Sequence, residues 1–251
     1  MYIVDNLINL YNVSAKGTTS SILSQYFLLN ARKINHKKLL DVARETNISN
    51  SSITRFCKSA GYDTFSSLCD MLDQDTRKID YQFYHLLNEK KNFNIDDNIK
   101  VKLDLLVHDL VNTSNVVIYG SPKYTGYFDT LIKYLFFKGV CVERCLGWNI
   151  KEKEETFLNT KKDDVIILID PRYNVQIFLE ETQTSLGSIT SIVNAPAKKY
   201  FFCESHYDFD GIKAIELKKQ DHYEYMLSSM EYIQYVLYQL MEEENYEYSH
   251  I

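Results

Sequence analysis

The chain has 251 residues, of which 45% are hydrophobic and 14% aromatic, and a net charge of −6. This is ample for one large or two medium cores and excludes a disordered chain. No apolar run reaches the roughly 20 residues of a bilayer span, and MYIVDNLINLYNVSAKG lacks the basic start and apolar run of a signal peptide, so a soluble, cytoplasmic protein without a membrane partner is expected.

The first helical periodicity runs from about Ser20 to Asn30, with Ile22, Leu23, Tyr26, Phe27 and Leu29 on the apolar face and Thr18 or Thr19 as the cap. Lys37 to Tyr62 then has the spacing of a helix-turn-helix. Leu40, Val42 and Ala43 are expected inward on its first helix, and Asn47 sits in the turn, where tolerance of positive φ is wanted. Ile48 plugs the gap behind the turn, and Ile53 and Phe56 take the buried side of the second helix. Ser49, Asn50, Ser51, Ser52, Thr54, Arg55 and Lys58 are left to point mostly outward. This short, polar and basic set suits a helix whose N-terminal end enters the major groove, and Lys37 and Lys38 join it as DNA-binding candidates. An ordinary helical hairpin, with Ser and Asn only as caps, is the alternative reading. Charge supports the first: residues 1–78 hold ten Lys or Arg against seven Asp or Glu, a surplus of +3, while the remainder holds 18 against 27.

TFSSLCDMLDQDTRKI reads as a further helix with Phe65, Leu68, Leu72 and Met71 inward, closing a helical domain at residue 78. Residues 79–98, with a short helix over YQFYHLL, are expected to form a hinge before an α/β domain over 99–251. That domain opens on an amphipathic helix from Asp97 through Ile99, Leu103, Leu106 and Leu110. Strands are expected at Val116 to Tyr119, Val140 to Arg144, Val165 to Ile169, Ile189 to Val193, Tyr200 to Cys203 and Lys213 to Leu217. Helices are expected at Thr125 to Lys138, Asn174 to Ser185 and His222 to Glu244, the last with Met226, Met230, Ile233, Val236, Leu237 and Leu240 on its apolar face. The alternation gives the fold class α + α/β: a helical domain followed by a three-layer αβα domain with a mostly parallel sheet. Ligands of such sheets bind beyond the carboxyl ends of the strands, here Gly120 to Thr125 and Asp170 to Asn174. Of the five cysteines only Cys141 and Cys145 approach a metal spacing. On a strand they stand about 13 Å apart, too far for one zinc ion, so reduced thiols, no metal and no cofactor are expected.

VARETNISNSSITRFCKSAGYDTFSSL resembles the RpiR family of bacterial transcriptional regulators, in which a helix-turn-helix precedes a sugar isomerase (SIS) domain. Thr54-Arg55-Phe56, Lys58, Gly61-Tyr62 and Phe65 fall in that family's pattern. The resemblance implies that Ser49 to Lys58 read operator DNA, and that the second domain senses a phosphosugar or other small effector and assembles a homodimer or homotetramer. The chain departs from the family at its ligand loops. Where SIS domains have roughly G-x-G-x-S it has Gly120-Ser121-Pro122-Lys123-Tyr124, and the Ser/Thr-rich phosphate loop is replaced by Asp170-Pro171-Arg172-Tyr173-Asn174. Proline removes a donor and tyrosine fills space, while Lys123 and Arg172 can supply charge to an anion. Ser121, Lys123, Tyr124, Thr125, Arg172 and Asn174 are therefore the ligand-binding candidates. A regulator without enzymatic activity is the leading expectation. The alternatives are a sugar-phosphate isomerase using Glu180, Glu181, His206 or His222 as base, and a regulator whose SIS-like domain is only an oligomerisation scaffold.

Overall fold

The computed structural model describes residues 2–88, 92–120, 122–145, 150–170, 187–203, 211–217 and 222–243. The chain divides into two compact units, the first holding Met1–Glu89 and Leu135–Cys141, the second Lys90–Tyr134 and Val142–Asn245.

In the first unit the apolar spacing produces α1 (Ile3–Val13), α2 (Thr19–Leu29), a 3-10 turn (Ala31–His36), α3 (Leu39–Thr46), α4 (Asn50–Ser59) and α5 (Phe65–Asn88). Thr18 caps α2, its hydroxyl accepting from the Ser21 N–H at 3.3 Å. Leu7, Leu23, Phe27, Val42, Ile53, Leu68 and Leu72 are fully buried, and the Phe27 ring stacks on Phe56 with centroids 5.9 Å apart. Two acids of α5 enter this interior with partners: Asp75 accepts from the Val4 N–H at 3.2 Å, and Asp80 binds Arg32 at 2.6 Å. The hydrogen bond to Asp75 and the ion pair of Asp80 each offset part of the cost of burying a carboxylate. α5 runs unbroken past residue 78, so the expected short helix over YQFYHLL is its last turns.

Three apolar assignments are corrected. Leu40 is 60% exposed and its neighbour Leu39 turns inward with Val42, because residues three apart share a helix face. Met71 and Met230 are also exposed, each one step off the buried stripe of its helix.

The second unit holds α6 (Asp97–Val111), β1 (Asn115–Gly120), α7 (Pro122–Thr125), a 3-10 turn (Gly126–Phe128), α8 (Asp129–Phe137), β2 (Cys141–Cys145), α9 (Ile150–Leu158), β3 (Val165–Asp170), α10 (Gly187–Asn194), β4 (Lys198–Cys203), β5 (Ile212–Glu216) and α11 (His222–Glu243), with α8 and β2 passing through the segment that clusters with the first unit. The strands form one sheet in the order β2-β1-β3-β4-β5, with β1/β3, β3/β4 and β4/β5 parallel. One face packs Val117, Tyr119, Ile166, Leu168 and Phe201 against Phe157 of α9 and Ile192 of α10. On the other, Phe202 meets Phe128 edge-on at 5.5 Å and Tyr200 reaches Asp109 of α6. Helices thus cover both faces, and the fold class is the one expected.

Residues 189–193, expected as a strand, lie in α10. Ile189, Thr190, Ile192 and Val193 are β-branched, which favours a strand locally. Because β3 and β4 are parallel neighbours, the chain between them must cross the sheet, and a helix is the usual crossover. The unforeseen α9 precedes β3 and packs on that same face. The helix expected at Asn174 to Ser185 lies outside the described residues. No described helix is long and apolar enough to cross a membrane, and no described group of His, Cys, Asp and Glu could hold a metal ion.

Candidate functional site

The turn between α3 and α4 is closed by Asn47, whose φ of 56° is left-handed. Ser49 caps α4: its hydroxyl accepts from the Ser52 N–H at 3.3 Å and lies 3.0 Å from the Ser51 and Ser52 hydroxyls. Ile53, Phe56 and Cys57 hold the inner side of α4 in the core, where burial pushes the Cys57 thiol up to about 11. The opposite side presents Asn50, Ser51, Arg55 and Lys58 to solvent, with Ser52 and Thr54 half-buried beside them. Arg55 donates from Nη2 to the Ser52 hydroxyl at 3.2 Å, and the Thr54 hydroxyl donates to the Asn50 carbonyl at 2.9 Å. The outward set is therefore a contiguous polar surface with two cations.

Lys37 and Lys38 differ from each other. Lys38 is exposed, and its backbone N–H is held by Asp41 at 3.0 Å. The Lys37 ammonium donates to both Glu45 oxygens, at 2.6 and 2.8 Å, and the Tyr26 hydroxyl donates to the same carboxylate at 2.7 Å. The bonds from Lys37 and then Tyr26 hold the Glu45 carboxyl below its ordinary value. Burial, then Glu45, pushes the Tyr26 phenol up. Sequence reasoning missed Glu45 and Tyr26, because the three residues come from α2, the end of α3 and the stretch before α3, with no periodicity to link them.

At the carboxyl edge of the sheet, β1 ends on Gly120, which is paired with Ile169. A Cβ at Gly120 would stand 2.4 Å from the Ile169 carbonyl oxygen and 2.8 Å from its Cγ2, so only glycine allows this approach. The strand order reverses between β1 and β3, which makes their carboxyl ends the natural ligand crevice. Pro122 opens α7, where its missing N–H costs nothing. Tyr124 is 6% exposed and its ring lies 6.2 Å from that of Tyr127; Thr125 is 1% exposed. Both are turned into the protein, and α7, which carries them, packs against β1 and β3. The backbone of Lys123 lies in α7, whereas Ser121, Arg172 and Asn174 lie outside the described residues. So do Glu180, Glu181 and His206, while His222 opens α11.

At the amino edge of the sheet α6 is pinned to the strands. Asp109 accepts from Tyr200 Oη at 2.6 Å and Lys198 Nζ at 2.8 Å, with Lys213 Nζ at 3.6 Å. Burial pushes the Asp109 carboxyl up, but bonds from Lys198, Tyr200 and His108 and the charge of Lys213 more than offset it, leaving it below the ordinary carboxylate value.

No protein-family model and no curated protein matches the chain. Among solved structures it is similar to the Vibrio vulnificus NanR protein complexed with ManNAc-6P, at 10% identity over 96% of this chain and 92% of that one, TM-score 0.44. It is similar to a Methanococcus jannaschii protein whose structure was taken to infer 3-hexulose-6-phosphate isomerase function, at 18% identity over 69% and 93%, TM-score 0.44. A Listeria monocytogenes protein provisionally named a sugar-phosphate isomerase is similar at 13% identity over 69% and 93%, TM-score 0.44. The last two correct the expectation that the chain is not an enzyme: structures described as isomerases stand among those similar to it, and the exclusion of catalysis is withdrawn.

Proposed function

We propose that the chain is a DNA-binding transcriptional regulator of the RpiR type, acting in the cytoplasm as a homo-oligomer, with its reading head within residues 1–78 and an effector domain within 99–251. The observation that carries the reading is α4. It is held by Ile53 and Phe56 behind the left-handed Asn47 turn, and it offers Ser49, Asn50, Ser51, Ser52, Thr54, Arg55 and Lys58 on one exposed or half-exposed side. That side matches what a major-groove helix needs: short hydrogen-bonding side chains at the N-terminal end and cations farther along for base edges and phosphates. The effector is a sugar phosphate or a related anion at the carboxyl ends of β1 and β3, with Lys123 and Arg172 supplying charge in place of the family's hydroxyls. Binding of the purified full-length chain to duplexes from its own upstream region, followed by fluorescence anisotropy against random duplex at moderate salt, tests it. Preference for a short, near-palindromic site supports the reading, and equal affinity for both duplexes defeats it.

The second reading is isomerisation of a sugar phosphate at the same strand ends. It is favoured by the crevice position of Gly120 and Ile169, a ligand position for catalysis and sensing alike. Turnover of an aldose or ketose phosphate by the purified chain distinguishes it.

A further inference from the structure

The outer face of α5 has two halves of different character. Leu68, Leu72, Ile79 and Phe83 hold the inner side of the helix in the core of the first unit. On the outer side Asp70, Gln74, Lys78, Tyr81 and His85 are exposed, at the steps of three and four residues that keep one helix face. Before Gln74 this side is small and acidic: Asp63 and Thr64 lead into the helix exposed, Ser67 is half-buried, and Asp70 follows. After Gln74 it is basic and aromatic. Lys78 is exposed, Tyr81 is 51% and Tyr84 39% exposed, and both rings meet the His85 imidazole edge-on with centroids 4.2 and 5.8 Å away. Arg77 is balanced within the helix by Asp73 at 2.9 Å.

A helix face with one small, acidic half and one bulky, basic half is complementary to the same face running the other way, the self-complementarity on which a two-fold pair is built. The residues also fix the register. Asp63 and His85 stand equally far from Gln74 along the chain, and so do Thr64 and Tyr84, Ser67 and Tyr81, and Asp70 and Lys78. An antiparallel pair with its two-fold axis at Gln74 therefore sets each acid against a basic side chain and each tyrosine against a small hydroxyl residue. At the axis two Gln74 amides meet, each both donor and acceptor. Axes one turn to either side, at Asp70 or at Lys78, bring like charges together. A nucleic-acid backbone is the wrong occupant, because Asp63 and Asp70 share the face.

We propose that α5 is the surface on which two copies of this chain meet, as an antiparallel helix pair with its two-fold axis at Gln74. The inference rests on the homo-oligomer of the proposed function and names the contact that sets the separation of two α4 helices, which paired half-sites require to be fixed.

The test is cysteine crosslinking of the full-length chain in solution, without DNA. Gln74→Cys places a thiol at the axis, whereas Tyr81→Cys leaves its two copies about 21 Å apart along the helices. A bismaleimide much shorter than that span is expected to give a covalent dimer with Gln74→Cys and none above the parent with Tyr81→Cys, the parent reporting on the half-buried Cys141. In the Gln74→Cys background, Lys78→Glu is expected to abolish the dimer by opposing Asp70 of the second copy, and adding Asp70→Lys to restore it. These positions are exposed, and circular dichroism checks that each variant keeps its helices. No dimer from Gln74→Cys, equal crosslinking of Tyr81→Cys, or no restoration by Asp70→Lys overturns the proposal. The crosslink and the duplex assay are read separately. A crosslinked dimer without operator preference upholds this pairing and defeats the DNA reading, and operator preference without the crosslink does the reverse.

Discussion

Under the proposed DNA-reading function, the carboxylate of Glu45 restrains a cation that would otherwise meet DNA, and Glu45→Gln tests this directly. Lys37 donates both of its described bonds to Glu45, at 2.6 and 2.8 Å, so forming a phosphate contact requires giving them up. Glutamine keeps the shape and the acceptor for Tyr26 but removes the charge that holds the ammonium. A lysine newly available to the backbone neutralises one further phosphate per reading head. Each such phosphate steepens the dependence of log K on log salt by about 0.9 and, at 0.1 M salt, tightens binding about eightfold. The gain is independent of sequence, so it appears equally on an operator duplex and on random duplex. The assay is fluorescence anisotropy of both duplexes with parent, Glu45→Gln, Lys37→Ala and the double variant between 50 and 300 mM salt, a range chosen to span about a Debye length of change. The steeper slope should vanish in the double variant. An unchanged slope in Glu45→Gln refutes the reasoning about Lys37, whereas absence of binding by the parent refutes the functional reading itself. Spectrophotometric titration supplies a check free of DNA: the Tyr26 phenol, raised first by burial and then by Glu45, should ionise at lower pH in the variant.

Asp109→Asn is expected to destabilise the second unit by about 2 kcal/mol, since it removes a charged acceptor from Tyr200 and Lys198; urea unfolding measures it. Because the folded Asp109 pKa is depressed, its contribution is complete above the unfolded carboxyl value near 4 and is lost as pH falls through the folded value. The difference between parent and variant should therefore be full at pH 7 and shrink below about pH 4. Gly120→Ala sets a methyl 2.4 Å from the Ile169 carbonyl oxygen, and the forced strand shift is expected to cost about 1–3 kcal/mol, seen as a lower melting temperature. Asn47→Val places a β-branched residue at a φ of 56° and should destabilise the first unit by about 1–2 kcal/mol. Asn47→Gly should leave thermal unfolding nearly unchanged.

Much of this was legible because it is local. The helix of α2 and its Thr18 cap, the Ile53 and Phe56 side of α4 and the strands β1 and β3 follow from periodicity and from short apolar runs. Asn47 was legible because few residues tolerate its backbone angle. Leu40 was not, because Leu39 and Leu40 are equally apolar and only the crossing of α3 over its neighbours chooses between them. α10 was read as a strand because its β-branched residues speak for a strand locally, and the crossover demand of a parallel sheet overrides them. The restraint of Lys37 by Glu45 joins a residue before α3 to one near its end, eight positions apart, a separation that belongs to no single helix or strand period.

The pin between α6 and β4 also sets a timetable. Asp109 and its partner Tyr200 are separated by 91 positions, so during synthesis the carboxylate waits about 5–20 s for the hydroxyl that completes it. In that interval β1, which begins six residues after Asp109, has left the ribosome with Val116, Val117 and Ile118 uncovered, and its neighbour β3 arrives only with Val165. A nascent chain halted between β1 and β4 therefore carries a bare strand edge and an unanswered acid together. Such an uncovered apolar strand is the kind of surface a holding chaperone binds, and slowed translation prolongs its exposure.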